Sequence, residues 1–200
     1  GGRLPAKGRV MGGTDIRPAE GEAFSAAVDW AAEEGWNPGL DDLGPFRAAD
    51  PDGLLHGFVD GQPVASISAV RYGERYGFLG FYIVVPEARG NGYGLAIWKA
   101  AMERFGDRVV GLDGVVAQQE NYRKSGFTLA GRNVRFTGPA PAPSPAPAEV
   151  EVRAIEPADL PAILAYDQAF FSDSRRAVGR EGVSAMAAGA RACHLPGKDG

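Results

Sequence analysis

Residues 81–95 read Phe81-Tyr82-Ile83-Val84-Val85-Pro86-Glu87-Ala88-Arg89-Gly90-Asn91-Gly92-Tyr93-Gly94-Leu95. An apolar run of strand character stops at Pro86, which has no N–H with which to continue a ladder. Glycines at alternate positions follow. From Gly92 the apolar period becomes helical, with Leu95, Trp98, Met102 and Phe105 expected on one face. A strand, a glycine-rich turn and a helix in this order gather consecutive backbone N–H groups into one concavity, at the positive end of the helix dipole. That concavity suits a diphosphate, and Arg89 is expected to add a full charge at its rim.

Upstream, Leu54–Val59 and Gln62–Tyr72 are strand-like runs joined by Asp60-Gly61, the two-residue signal of a tight hairpin. Gly73–Arg75 turn the chain again into Tyr76–Val85, so three successive strands are predicted to be antiparallel. A short strand at Ile16-Arg17 precedes a helix carrying Phe24, Ala27, Val28, Trp30 and Ala31, which Gly35-Trp36-Asn37-Pro38-Gly39 ends. Downstream, Arg108–Asp113 reads as a fifth strand, Ala117–Lys124 as a short helix and Arg132–Thr137 as a last strand. The predicted class is α+β, an antiparallel meander followed by a strand–helix–strand crossover.

The ends read differently. Gly1 to Gly13 contain five glycines without apolar periodicity, so residues 1–12 are expected to form a disordered extension, with a domain over 13–137. Residues 138–148, GPAPAPSPAPA, hold five prolines and read as an extended linker. Ile16-Arg17 to Trp30 can then be laid ungapped on Val152-Arg153 to Tyr166, matching Arg17 to Arg153, Glu20 to Glu156 and Ala26 to Ala162. Residues 149–200 are accordingly expected to be a partial second copy with a disordered tail.

The 200 residues are 44% hydrophobic and 23% charged, ordinary globular proportions that exclude wholesale disorder. No run reaches the roughly 18 apolar residues of a membrane helix, and no signal peptide is visible. A net charge of -4 without basic clusters argues against a nucleic-acid partner. The single cysteine, Cys193, forms neither an internal disulfide nor a cysteine metal cluster, so a reducing, cytoplasmic setting and no metal are expected.

The segment Arg89-Gly90-Asn91-Gly92-Tyr93-Gly94 resembles the Gln/Arg-x-x-Gly-x-Gly/Ala acyl-CoA signature of the GCN5-related N-acetyltransferase (GNAT) superfamily. Asn121-Tyr122-Arg123-Lys124-Ser125-Gly126-Phe127 is similar to the family's Tyr-x-x-x-Gly-Phe ending, and the resemblance spans roughly Thr14 to Thr137. It implies a mixed, mostly antiparallel sheet flanked by helices and splayed open beside the fourth strand. Acetyl-CoA would lie in that opening as co-substrate. The backbone of Tyr82, Ile83 and Val84 would pair with its pantetheine arm, and Gly90 to Leu95, with Arg89, would hold its diphosphate. A tandem arrangement, with the second copy cut short, also suits the superfamily.

Transfer of an acetyl group to an amine needs proximity, a donor to the thioester oxygen, a proton acceptor and a proton donor near sulfur. The resemblance gives Tyr122 as general acid and suggests the Val84 N–H as donor to the oxygen. The run Tyr76–Val85 contains no acid, so Asp113, at the end of the fifth strand, is the expected base. Val115 stands where the family commonly has a CoA-contacting Asn, so Gln118 or Asn121 is a substitute. Trp36, Asn37, Asp41, Asp42 and Tyr72 are candidates for an acceptor pocket whose ligand the sequence does not name. His56 is expected to pack rather than react, and His194 to have no role. Assembly as a homodimer stays open.

Two other readings compete. A dinucleotide-binding oxidoreductase would use Asp113, 21 residues beyond Gly92, on a ribose, but the third glycine comes one position too early and the upstream strands form hairpins. A non-catalytic acyl-CoA-binding module would keep the glycine loop and lose the proton-transfer groups.

Overall fold

The computed structural model describes residues 9–11, 13–36, 38, 43–134, 138–139 and 153–170. They fall into two compact units, one from residues 1–112 and 156–200, the other from 113–155.

The first unit carries a six-stranded sheet in the order β1 (Arg9–Met11), β2 (Thr14–Pro18), β3 (Leu54–Val59), β4 (Gln62–Tyr72), β5 (Tyr76–Val84) and β6 (Val109–Leu112). Neighbours are antiparallel except β5 and β6, which are parallel. Helix α3 (Tyr93–Phe105) makes the crossover between that parallel pair. The mixed α+β class expected from the sequence is the one observed. The hairpin at Asp60-Gly61 forms with both residues at positive φ, 51° and 79°, a backbone twist that suits two-residue loops between twisted strands. Arg9–Met11, expected within a disordered extension, instead forms β1, which pairs with β2. Three residues suffice for an edge strand, and Gly13 takes the turn at φ 86°.

Helices cover both faces of the sheet, with successive residues of each strand pointing opposite ways. On one face α1 (Glu22–Glu33) stacks Trp30 on His56, ring centroids 5.4 Å apart. Leu43 of α2 (Leu43–Ala49) packs with Ala27 of α1, Leu54 and Phe81. On the other face α3 buries Ile97, Trp98, Ala101 and Phe105, with the Ile97 Cδ1 lying over Gly57. Phe105 sits so close to β5 that a Cβ on Gly77 would meet its ring at 2.4 Å. The buried face of α3 is therefore rotated from the expected one. Trp98 and Phe105 are on it, but Leu95 is 58% exposed. Helix α2 falls between the elements expected from the sequence, where none is predicted. Pro45 is tolerated there because first-turn N–H groups have no intrahelical partner.

Asp50, at the end of α2, joins three elements. It is 4% exposed and receives Arg71 of β4 as a fork, Nε on Oδ2 at 2.8 Å and Nη2 on Oδ1 at 3.1 Å. The Arg71 backbone N–H adds a bond to Oδ2 at 3.1 Å, and Arg104 of α3 donates to Oδ1.

In the second unit a 3-10 turn (Val116–Gln118) runs into α4 (Gln119–Lys124). Residues 132–134, expected in a last strand, have no regular structure, and 135–137 lie outside the described residues. Residues 157–159 and α5 (Leu160–Gln168) follow in the first unit, as a 3-10 turn and a helix.

Candidate functional site

Strand β5 outruns its neighbour. Residues 76–79 pair with 109–112 of β6, and beyond Leu79 that side of β5 has no strand partner among the described residues. On its other side β5 stays paired with β4 to Val84, but with an irregularity: Ser68 faces Gly80 and Ser66 faces Ile83. Phe81 and Tyr82 together therefore oppose Ile67, which is a β-bulge. Phe81 pays for it with φ 47°, a region that bulky residues rarely enter. Its carbonyl accepts the Ser66 hydroxyl at 2.8 Å, and its ring meets Phe46 edge-on at 6.0 Å. The bulge moves Phe81 to the α1–α2 face and leaves Tyr82, whose ring lies 5.3 Å from Trp98, on the α3 face.

Past the bulge the backbone directions follow. The Val85 N–H bonds the Val64 carbonyl at 3.0 Å, so residue 85 faces β4 and residue 84 faces the unpaired side. The Val84 carbonyl accordingly accepts Arg89 Nε at 2.9 Å, and the Val84 N–H projects to that same side. Ile83, registered opposite Ser66 and 4% exposed, points its peptide at β4. Of the three residues expected to pair with a ligand arm, the edge geometry thus favours Val84 over Ile83.

The chain then makes a 3-10 turn over Pro86–Ala88 and enters α3 through Gly90 and Gly92, both at φ 83°. Asn91 braces the turn, its Nδ2 donating to the carbonyls of Ala88 at 3.1 Å and Arg89 at 3.3 Å. Gly92 is the N-cap of α3 and brings no side-chain cap, and the first turn holds no acidic residue. The first intrahelical bond is made by the Ala96 N–H on Gly92 at 3.0 Å. The amides of Tyr93, Gly94 and Leu95 therefore precede the ladder and point out of the helix start. A Cβ on Gly90 or Gly92 would meet no atom within 4 Å, so the concavity is open where a ligand would enter. Gly94 is needed for another reason. A Cβ there would stand 2.9 Å from the Tyr82 hydroxyl and 3.1 Å from Val84 Cγ2, because α3 lies directly on β5. Peptide donors, a helix start without a carboxylate and open space fit a diphosphate.

The charge expected at the rim has partners: the Arg89 guanidinium is turned to the Val84 carbonyl and to the carboxylate of Glu34, just past α1. Glu34 carried no sequence signal, being 55 residues away along the chain.

Tyr72 is buried at the β4–β5 turn, stacked on Tyr76 at 6.1 Å, at the opposite end of β5 from the glycine loop. Trp36 is half-buried, its backbone N–H donating to the Ala31 carbonyl at 2.9 Å. Asn37, Asp41 and Asp42 lie outside the described residues, as do Cys193 and His194. In the second unit Tyr122 is half-buried on α4, and burial raises its phenol above the ordinary value of 10.0. Asp113 is exposed and accepts the Asn133 side-chain amide at 3.0 Å. Gln118 accepts the Asn121 amide at 2.6 Å, so the two substitutes for the missing Asn are bonded to each other. Buried His56 has no hydrogen-bond partner on either ring nitrogen, and burial lowers its pKa to about 4. Among the described residues no group of three or more His, Cys, Asp or Glu side chains is placed to hold a metal, and no helix is long and apolar enough to cross a membrane.

Solved structures share this fold. An Ard1 from Thermoplasma volcanium is 19% identical, with a TM-score of 0.52 over 60% of this chain and 85% of its own. An acetyltransferase from Pyrococcus horikoshii, described as putative, is 18% identical, with a TM-score of 0.51 over 64% of this chain and 47% of its own. Among curated proteins, holothin acyltransferase of Pseudoalteromonas sp. (strain SANK 73390) is 42% identical over 122 residues, 61% of this chain and 42% of the relative. An uncharacterized Caenorhabditis elegans protein is 44% identical over 55 residues, 27% of this chain and 18% of the relative. The chain thus spans less than half the length of these curated relatives. The family model described as "Acetyltransferase (GNAT) family" matches residues 17–127, which hold both the glycine loop and Tyr122. The chain therefore belongs to the GNAT acetyltransferase family, a family of acyltransferase enzymes.

Proposed function

We propose that this chain is an N-acetyltransferase that moves the acetyl group of acetyl-CoA to a primary amine by direct attack on the thioester. The observation that carries the reading is the continuity of the unpaired edge of β5 with the open concavity of Gly90–Leu95, in a chain of this family. The edge offers the Val84 N–H and the concavity offers the amides that begin α3. One matches a carbonyl oxygen that gains negative charge, the other a diphosphate. The name of the holothin acyltransferase relative supports acyl transfer as the reaction class.

In this reading acetyl-CoA occupies the edge and the loop, the amine nitrogen bonds to the acetyl carbon as the carbonyl oxygen takes the negative charge, and return of that charge breaks the carbon–sulfur bond. Tyr122 gives its proton to the departing sulfur. Its raised pKa keeps the phenol protonated through neutral pH, the state a general acid needs. Asp113 takes the proton from the amine, directly or through water. Residues 149–200 are read as the start of a second copy. The side chain of Glu156 caps the Asp159 N–H while Asp159 returns a bond to the Glu156 N–H at 2.8 Å, so a helix start forms where the repeat places one.

The test begins with binding. Acetyl-CoA is expected to raise the melting temperature of the parent, and Gly92→Val to weaken that binding at least about tenfold, because a β-branched residue resists φ 83° and the loop must rearrange. A Gly92→Val protein stabilised by CoA as fully as the parent would remove the loop from the site. Amines are then screened with detection of free CoA thiol. With an accepted amine, Tyr122→Phe is expected to lower kcat on the order of 10²-fold while acetyl-CoA affinity is kept. Affinity without turnover in either form identifies a binding module instead.

A further inference from the structure

The ion pair between Glu34 and Arg89 joins the end of α1 to the glycine loop, and nothing in the acyl-transfer reading uses it. Glu34 occupies an unfavourable place. It is the C-cap residue of α1, where the helix dipole is negative, Glu33 precedes it, and the last turn contains no basic residue. The compensating cation comes from Arg89, across the fold. Arg89 in turn does two things with one guanidinium: Nε bonds the Val84 carbonyl at 2.9 Å, and Nη2 meets the Glu34 carboxylate. The first bond closes a brace from residue 89 back to the last residue of β5, across the base of the loop. A long, half-exposed arginine loses much rotamer freedom in holding one strand carbonyl, and the carboxylate offsets that loss by fixing the other side of the fork.

We propose that Glu34 is a positioning residue for acyl-CoA binding. It acts through Arg89, which it holds on the Val84 carbonyl so that the strand end and the loop amides keep the spacing that the diphosphate and pantetheine arm require. This rests on the reading of residues 82–95 as the acyl-CoA site. The sign of the effect separates positioning from simple charge. Glu34 is an anion near a site for an anion, so deleting it would tighten CoA binding if only its charge mattered. A positioning role gives the opposite.

The experiment titrates CoA itself into the parent, Glu34→Ala, Glu34→Gln, Arg89→Ala and the Glu34→Ala/Arg89→Ala double variant by calorimetry, with melting temperatures measured alongside. Glu34→Ala is expected to weaken CoA about three- to tenfold. Glu34→Gln, whose amide oxygen still accepts from the guanidinium, is expected to stay within about twofold of the parent. The double variant should bind CoA no more weakly than Arg89→Ala alone, since Glu34 acts through Arg89. Unchanged or tighter binding in Glu34→Ala overturns the proposal, as does a lowered melting temperature with affinity intact, or additive losses in the double variant. A parent that takes up no CoA removes both this inference and the reading beneath it, whereas a binding parent with an indifferent Glu34→Ala removes this inference alone.

Discussion

Asp50→Asn is expected to lower the stability of the protein by about 3–5 kcal/mol. The carboxylate is 4% exposed and joins α2, β4 and α3 through Arg71 and Arg104. Arg104 is the vulnerable partner. Its side chain is only 16% exposed, its Nε has no hydrogen-bond partner, and burial depresses its pKa against the pull of Asp50. An asparagine fills the same volume but withdraws the charge and turns an NH₂ donor toward guanidinium donors. A buried cation is then left uncompensated, the situation in which breaking a pair costs far more than the pair contributes. Urea unfolding at pH 7 measures the effect as a lowered midpoint at constant slope. A loss below about 1 kcal/mol would show that this cluster behaves as a solvated surface pair. Arg104→Met added to Asp50→Asn should recover part of the loss, because the stranded charge is gone.

The second large effect is on pH dependence. His56 is fully buried against Trp30 and Phe58, and with a folded pKa of about 4 it stays neutral where an unfolded histidine, at 6.5, takes up a proton. The unfolded state thus binds more protons between pH 6.5 and 4, so stability is full above 6.5 and falls as the pH descends through this window. The difference of about 2.5 pH units corresponds to roughly 3 kcal/mol at most. Denaturant midpoints measured from pH 7.5 to 4.5 should show the decline, and His56→Phe should flatten it. An equal slope in His56→Phe would assign the loss elsewhere. Asp50 does not confuse the result. Burial raises its pKa, but Arg71 and Arg104 more than offset this and hold it below 3.8, so its contribution is lost only at still lower pH.

Features that depend on neighbours in the chain were legible in the sequence. Asp60-Gly61 specifies its hairpin through positive φ at two adjacent positions, and the change of period at Gly92 marks the start of α3. The glycine loop was readable for the same reason, since its donors are backbone groups and glycine is the residue that frees them. Features that arise from distant partners were not. Arg89 finds Glu34, and Asp50 collects Arg71 and Arg104, by contacts that no local pattern encodes. Leu95 shows the limit of periodicity, because spacing gives a helical face but not the rotation that the sheet imposes. Edge strand β1 was hidden by glycines that also resemble a tail, and α2 by a Gly-Pro pair that also begins helices. The bulge had no signal at all, since phenylalanine is among the residues least suited to positive φ.

The extra residue at Phe81 has a wider meaning for the outer edge of β5. Upstream of it, inward and outward positions alternate in one rhythm; downstream the rhythm is displaced by one step, and that displacement decides which amides of β5 turn outward. What a ligand would meet there is main chain, whose identity no substitution changes. An insertion or deletion between Gly80 and Val84 would therefore hand the outward amide to a neighbouring residue, whatever side chains the segment carried.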